Sequence, residues 1–100
     1  MKITQGALEH ITQLAISRQA GELSSAEYVE LFDSIDCLDY DELSELYKIV
    51  GIGAERYGAD IPDISVKEKS AVEQLFSVEK LGAYLIAGAD VLFGRESTGP

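Results

Sequence analysis

The chain has 100 residues, 46% of them hydrophobic, which suits one domain with a buried core. Eighteen acidic residues against eight basic ones give a formal charge of −10, which disfavours contact with nucleic-acid phosphates and anionic membranes. A lone cysteine, Cys37, allows no intrachain disulfide and, with no secretion signal at the start, predicts a cytoplasmic protein. The longest uncharged apolar run, residues 81–89, is too short to span a bilayer.

Signals for helix starts recur along the chain. Three short polar residues each precede a glutamate by three positions, the spacing of a capping box, in which each side chain bonds the other residue's backbone N–H. These pairs are Ser24 with Glu27, Asp39 with Glu42, and Ser65 with Glu68, while Ser77 starts a fourth segment without the glutamate.

Apolar residues at spacings of three and four predict five helices. In chain order the helices cover residues 4–19, 25–36, 40–57, 65–75 and 78–93, with a loop at 59–64 that contains Pro62. No segment alternates with period two for long enough to form a strand. The sequence therefore predicts an all-α fold, a single-domain bundle over residues 1–94 with a flexible tail at 95–100.

Two glycines lie inside the third predicted helix, where each costs about 1 kcal/mol relative to alanine. For Gly51 and Gly53 we favour a neighbour packed close to the backbone over a kink. Ile49 and Ile52 lie off the apolar seam of this helix, which predicts that a second of its surfaces is covered.

The last predicted helix is apolar over well more than half its circumference, so it must be covered on more than one side. Either it is the central helix of the bundle, or one side faces the core and another faces a second copy of the chain. Small residues at 82, 83 and 87–89 allow a close approach in both cases. The predicted interaction residues are Ile49, Ile52, Tyr84, Ile86, Val91 and Phe93.

No catalytic, metal-binding or cofactor-binding set emerges from the sequence. The acids between residues 33 and 45 lack the spacing and glycine of a calcium loop, and we interpret them as caps and solvated charges. We expect His10, the only histidine, at the edge of an apolar face, and Cys37 as a buried, inert thiol. Arg18 is expected to lay its stem on the core with its head in water.

From Leu38 onward the chain resembles a family of small bacterial proteins known as a domain of unknown function. The matching pieces are Leu38, Asp41-Glu42, Leu46, Gly53, Leu75, Leu81 and Tyr84-Leu85, although Ala54 and Glu55 stand where the family tends to have arginine and glycine. The resemblance implies an all-helical fold and a bacterial cytoplasmic setting.

Three functional hypotheses follow, and none is enzymatic. The leading one is a non-catalytic interaction protein that acts through a helical surface as a homodimer. The second is an acidic regulator of a basic partner, such as a mimic of nucleic acid, without direct nucleic-acid or membrane binding. The third is a small-molecule or metal binder with Tyr47, Tyr57 and Tyr84 along a cleft.

Overall fold

Five helices form the regular structure of residues 2–93, the part of the chain that this computed structural model describes. They are α1 (Gln5–Gln19), α2 (Ser25–Asp36), α3 (Tyr40–Arg56), α4 (Ser70–Phe76) and α5 (Leu81–Phe93). No strand occurs among these residues, so the predicted all-α class is confirmed. The predicted tail at 95–100 lies outside the described residues. None of the five helices is both long and apolar enough to cross a bilayer.

Two of the predicted capping boxes start helices as expected. In the box of α2, the Glu27 N–H donates to the Ser24 hydroxyl at 3.2 Å, and the Ser24 N–H donates to the Glu27 carboxylate at 3.1 Å. The box of α3 joins Asp39 and Glu42 in the same way, with both bonds at 2.9 Å. Both helices therefore begin at the residues that the sequence indicates.

The third predicted box is wrong, because α4 begins at Ser70 and not at residue 65. Ser65 instead accepts a turn hydrogen bond at its carbonyl oxygen from the Glu68 N–H, at 3.0 Å. The preceding residue, Ile64, is buried, and its N–H donates to the Tyr47 hydroxyl at 3.3 Å. Because Ile64 is anchored in the core, the segment at 65–69 does not form the predicted helix, and α4 begins only at Ser70.

Ser77 ends one helix and does not begin the next, contrary to the prediction. Its hydroxyl donates to the Glu73 carbonyl at 2.8 Å, and its N–H bonds the same oxygen at 3.0 Å. Helix α5 then starts at Leu81, after a short turn. A serine can bond backward to a carbonyl as well as forward to an N–H, and local sequence does not decide between these directions.

Glycines let α5 pack almost backbone to backbone against α3. A Cβ at Gly53 would lie 1.8 Å from the Tyr84 carbonyl oxygen, and a Cβ at Gly88 would lie 1.9 Å from the Ile49 carbonyl oxygen. Gly51 has no such neighbour within 4 Å. The close packing that we predicted is therefore confirmed for Gly53 and is wrong for Gly51.

Helix α5 also packs against α1, where a Cβ at Gly82 would lie 2.8 Å from the Ile16 backbone nitrogen. Leu81 and Leu85 are fully buried between these neighbours. Helix α2 packs against α1 and α4 and completes the bundle. The arrangement covers α5 on two sides, by α1 and α3, and leaves a third side of this helix exposed.

Candidate interaction surface

One side of α5 remains exposed although it is apolar. Ile86, Val91 and Phe93 are 44%, 42% and 45% exposed. At 100° per residue, Phe93 lies near the direction of Ile86 two turns later, and Val91 lies one turn beyond Ala87. Ala83 and Ala87, both half-buried, flank Ile86 on the same side. One side of α5 thus carries a mainly apolar strip over about three turns, from Ala83 to Phe93.

Two residues from other elements extend this strip. Ile16 of α1 is 36% exposed, and Tyr57, which follows α3, is 61% exposed. Both line a shallow groove of about 320 Å³ together with Ala83 and Ile86. We call the whole surface the α5 face, and it consists of Ile16, Tyr57, Ala83, Ile86, Ala87, Val91 and Phe93.

The α5 face is nearly free of charge. Within α5 the only charged residue is Asp90, which is half-buried and lies about 40° from Ile86, inside the strip. The Tyr57 ring packs at a tilt on the Tyr84 ring, with 5.8 Å between ring centroids. This contact holds Tyr57 at the edge of the face. A partner on this face therefore buries apolar area around one carboxylate, which is stabilised only where it keeps contact with water or gains a partner.

Only three of the six predicted interaction residues lie on this surface. Ile86, Val91 and Phe93 are there, whereas Ile52 is half-buried on α3. Ile49 is fully buried, because Gly88 lets the α5 backbone approach the Ile49 carbonyl. The surface of α3 that carries Ile49 is therefore covered by α5 and is not accessible to a partner.

Tyr84 is also internal, since it is only 8% exposed on the side of α5 that faces α3. Conversely, the predicted interaction residues did not include Ile16 or Tyr57, although Tyr57 was predicted to line a cleft. Ile16 lies off the apolar seam of α1, as Ile49 and Ile52 lie off the seam of α3, so the same criterion applied to α1 identifies it. No local signal identifies Tyr57, because its exposure depends on how α3 ends against α5.

Several acidic residues of α2 and α3 serve local structure. Glu45 accepts hydrogen bonds from the backbone N–H groups of Lys2 and Ile3, at 2.8 and 2.7 Å. These bonds lower the pKa of the Glu45 carboxyl below its ordinary value. The Lys2 ammonium lies 3.9 Å from the Asp41 carboxylate. Among residues 2–93, no group of three histidine, cysteine, aspartate or glutamate side chains is placed to hold a metal ion.

The two residues considered for chemistry lie apart on the surface. Cys37 is exposed, contrary to the prediction of a buried thiol, because it caps the C-terminus of α2. Its Sγ bonds the Ser34 carbonyl at 3.3 Å. His10 is exposed as well, and its Nε2 lies 2.8 Å from a Glu30 carboxylate oxygen, which links α1 to α2. The two side chains therefore contact Ser34 and Glu30, and not each other as a nucleophile and its base would.

Arg18 is more deeply engaged than we predicted. Its guanidinium donates to the carbonyl oxygens of Phe76 and Val78, the latter at 2.7 Å, and lies 4.8 Å from the centroid of the Phe76 ring. Burial lowers the pKa of this guanidinium, and the nearby Tyr28 acts in the opposite direction. The head group therefore binds the end of α4 and does not extend into water.

Comparisons with known proteins add no relative to this description. No protein-family model matches the chain, and neither a curated protein nor a solved structure matches it. The resemblance to the bacterial family stays a prediction.

Proposed function

We propose that this chain is a non-catalytic interaction protein of the cytoplasm that pairs with a second copy of itself through the α5 face. One observation carries the proposal: α5 exposes Ile86, Val91 and Phe93 in one strip while its other sides are filled by α1 and α3. Apolar residues that are grouped on one exposed surface, unlike scattered ones, are typical of interaction sites.

The shape of the strip is suited to packing against α5 of a second copy. Ile86 projects beside the small residues Ala83 and Ala87, which are three positions before it and one after it. Around a two-fold axis, Ile86 of one copy packs against the alanines of the other, and the reverse contact forms at the same time. The surface is thus self-complementary without any rearrangement of the backbone.

Charge selects an antiparallel pairing of the two helices. If the axis passes near Ile86, the two copies of Asp90 lie four residues away on opposite sides, about 12 Å apart along the helix axis. That separation exceeds the Debye length of about 8 Å at physiological salt, so their repulsion is screened. A parallel pairing would place the two carboxylates together and is disfavoured.

An interface centred on this face would be modest in size. The apolar patch of a typical monomer covers about 300–600 Å², and a standard interface buries about 800 Å² from each partner. The five large side chains of the α5 face supply the apolar centre of such an interface. Polar residues around them, including Gln19 at the groove, supply the rim.

Light scattering and sedimentation velocity test the pairing directly. At tens of micromolar the wild-type protein is expected at twice the chain mass of 10.9 kDa. Ile86→Glu places two like charges at the axis and is expected to give a folded monomer. Val29→Glu is the matched control, because Val29 is 60% exposed on α2, outside the α5 face, and this variant should remain dimeric.

A wild-type protein that stays monomeric at these concentrations would overturn the proposal. So would a dimer that both variants retain, because its interface would then lie elsewhere. Circular dichroism of each variant confirms that a change of mass does not result from unfolding.

A further inference from the structure

A cleft separate from the α5 face lies where the loop at 60–62, helix α4 and the start of α5 meet. Its volume is about 570 Å³, within the range of about 300–1,000 Å³ that is typical of small-molecule sites. Apolar side chains of Ile61, Val78 and Tyr84 line part of it. It shares no lining residue with the groove beside Ile16 and Ile86.

The walls of this cleft are held in place by hydrogen bonds. The Tyr47 hydroxyl accepts from the Ile64 N–H at 3.3 Å and makes a long contact of 3.5 Å to the Pro62 carbonyl, which ties the loop to α3. On the opposite wall the Gln74 amide donates to the Ser70 hydroxyl at 3.0 Å. The cleft is therefore formed before any ligand enters, which reduces the entropy cost of binding.

Tyr84 contributes a polar group that the protein leaves without a partner. The residue is only 8% exposed and lines the cleft, yet its hydroxyl makes no hydrogen bond to any group in residues 2–93. A buried hydroxyl without a hydrogen bond is costly, so such a group is usually satisfied by water or by a ligand.

The charges around the cleft indicate which ligand it favours. Asp60, Glu73 and Glu79 line it against a single cation, Lys80. None of these four side chains forms an ion pair within the described part of the chain. The excess of free carboxylates gives the cleft a negative potential, which attracts cations and repels anions.

From the unpartnered hydroxyl of the largely buried Tyr84 and the acidic lining of this preformed cleft, we infer that the cleft binds a small organic cation, an amine with an apolar body. The ammonium group bonds the carboxylates of Glu73 and Glu79 and donates to the Tyr84 hydroxyl oxygen. The apolar body lies against Val78 and the Tyr84 ring, whose face adds a cation–π attraction.

Nuclear magnetic resonance titration with three probes of one shape tests this inference. Phenethylamine carries the positive charge, phenethyl alcohol carries none, and phenylacetate carries a negative charge. We expect phenethylamine to saturate the signals of Val78, Glu79 and Tyr84 with a dissociation constant below about 1 mM. The alcohol should bind at least about tenfold more weakly, and phenylacetate should leave these signals unchanged.

Matched variants assign the binding to the proposed groups. Tyr84→Phe and the pair Glu73→Gln/Glu79→Gln should each weaken phenethylamine binding about tenfold. Tyr40→Phe and Glu22→Gln, which alter exposed residues outside the cleft, should have no effect. Ile86→Glu should bind the amine as the wild type does, so failure of the pairing proposal and failure of this one are distinguishable.

Two results would overturn the inference. One is the absence of any shift at these signals with phenethylamine up to about 10 mM. The other is equal binding of all three probes, or binding that Tyr84→Phe and the double variant leave unchanged, since either shows that charge and the hydroxyl do not select the ligand.

Discussion

At the scale of single residues, Arg18 shows how one side chain joins two elements distant in sequence. Helix α4 ends at Phe76 and leaves carbonyl groups without helical partners. The Arg18 guanidinium donates to two carbonyl oxygens there and packs over the Phe76 ring. Phe76 in turn makes edge contacts with Tyr28 and Phe32, with ring centroids 5.6 and 5.3 Å apart. Arginine suits this position because its planar fork bonds and stacks simultaneously.

Glu45 joins the first residues of the described chain to α3 in a similar way. Two adjacent backbone N–H groups, of Lys2 and Ile3, donate to its two carboxylate oxygens. Ile3 is buried in the core, so the bonds hold an apolar anchor in place. Both bonds favour the charged carboxylate, which is why the pKa of Glu45 is lowered.

We predict that Glu45→Gln lowers the melting temperature at neutral pH and that the difference from wild type disappears in acid. The folded-state pKa of Glu45 is below the unfolded value, so its contribution is present above about pH 4.3 and is lost as the pH falls through the folded pKa. Thermal melts between about pH 3 and pH 7 measure this. Glu22→Gln at an exposed site is the control, and an equal effect of both variants would contradict the prediction.

At the scale of elements, the contact between α3 and α5 depends on missing side chains. Gly53 and Gly88 stand opposite backbone carbonyls of the other helix, which allows the two helices to pack with their backbones nearly in contact. Such proximity explains why α3 keeps a glycine that disfavours a helix in isolation. It also explains why Ile49, which lies off the apolar seam of α3, is fully buried, as we predicted for a second covered surface of this helix.

Two alanine substitutions in α3 separate packing from propensity. Gly53→Ala is expected to lower the free energy of unfolding by about 3 kcal/mol or to prevent folding, because the new methyl would meet the Tyr84 backbone. Gly51→Ala, two residues earlier, meets nothing within 4 Å and should stabilise by up to about 1 kcal/mol. Urea unfolding measures both, and values within about 0.5 kcal/mol of each other would show that the close contact is absent.

At the scale of the whole molecule, the formal charge of −10 acts against compactness and against pairing of identical chains. Part of this charge is used locally, in the boxes that start α2 and α3 and at Glu45. Along α5 itself the only charge is Asp90, so few charges lie where the chain is proposed to meet its own copy.

Salt is expected to strengthen the homodimer. Raising sodium chloride from about 20 mM to about 300 mM screens repulsion between the two acidic chains and should tighten dimerisation several-fold. Sedimentation equilibrium at the two salt concentrations measures the change, with Val29→Glu in parallel. A complex with a basic partner would respond in the opposite direction, so weakening by salt would favour the alternative of an acidic regulator.

The sequence determined the helical class, the starts of α2 and α3, and the apolar excess of α5, because these features depend on residues within one or two turns of each other. It also indicated Ile86, Val91 and Phe93 as interaction residues, since the predicted excess on α5 includes them. The late start of α4 could not be derived in this way, because it depends on the burial of Ile64 under Tyr47.

Only the tertiary structure decided which apolar surfaces are internal. Ile49 and Ile86 look alike in sequence, as large aliphatic residues on well-formed helices. The first is covered because Gly88 admits a backbone beside it, and the second is exposed because α1 and α3 occupy the other sides of α5. The cleft beside Tyr84 likewise exists only after a loop, α4 and α5 come together. Residues close in sequence determine where the helices form. Which helix surfaces are buried depends on which backbones, distant in sequence, can pack closely together.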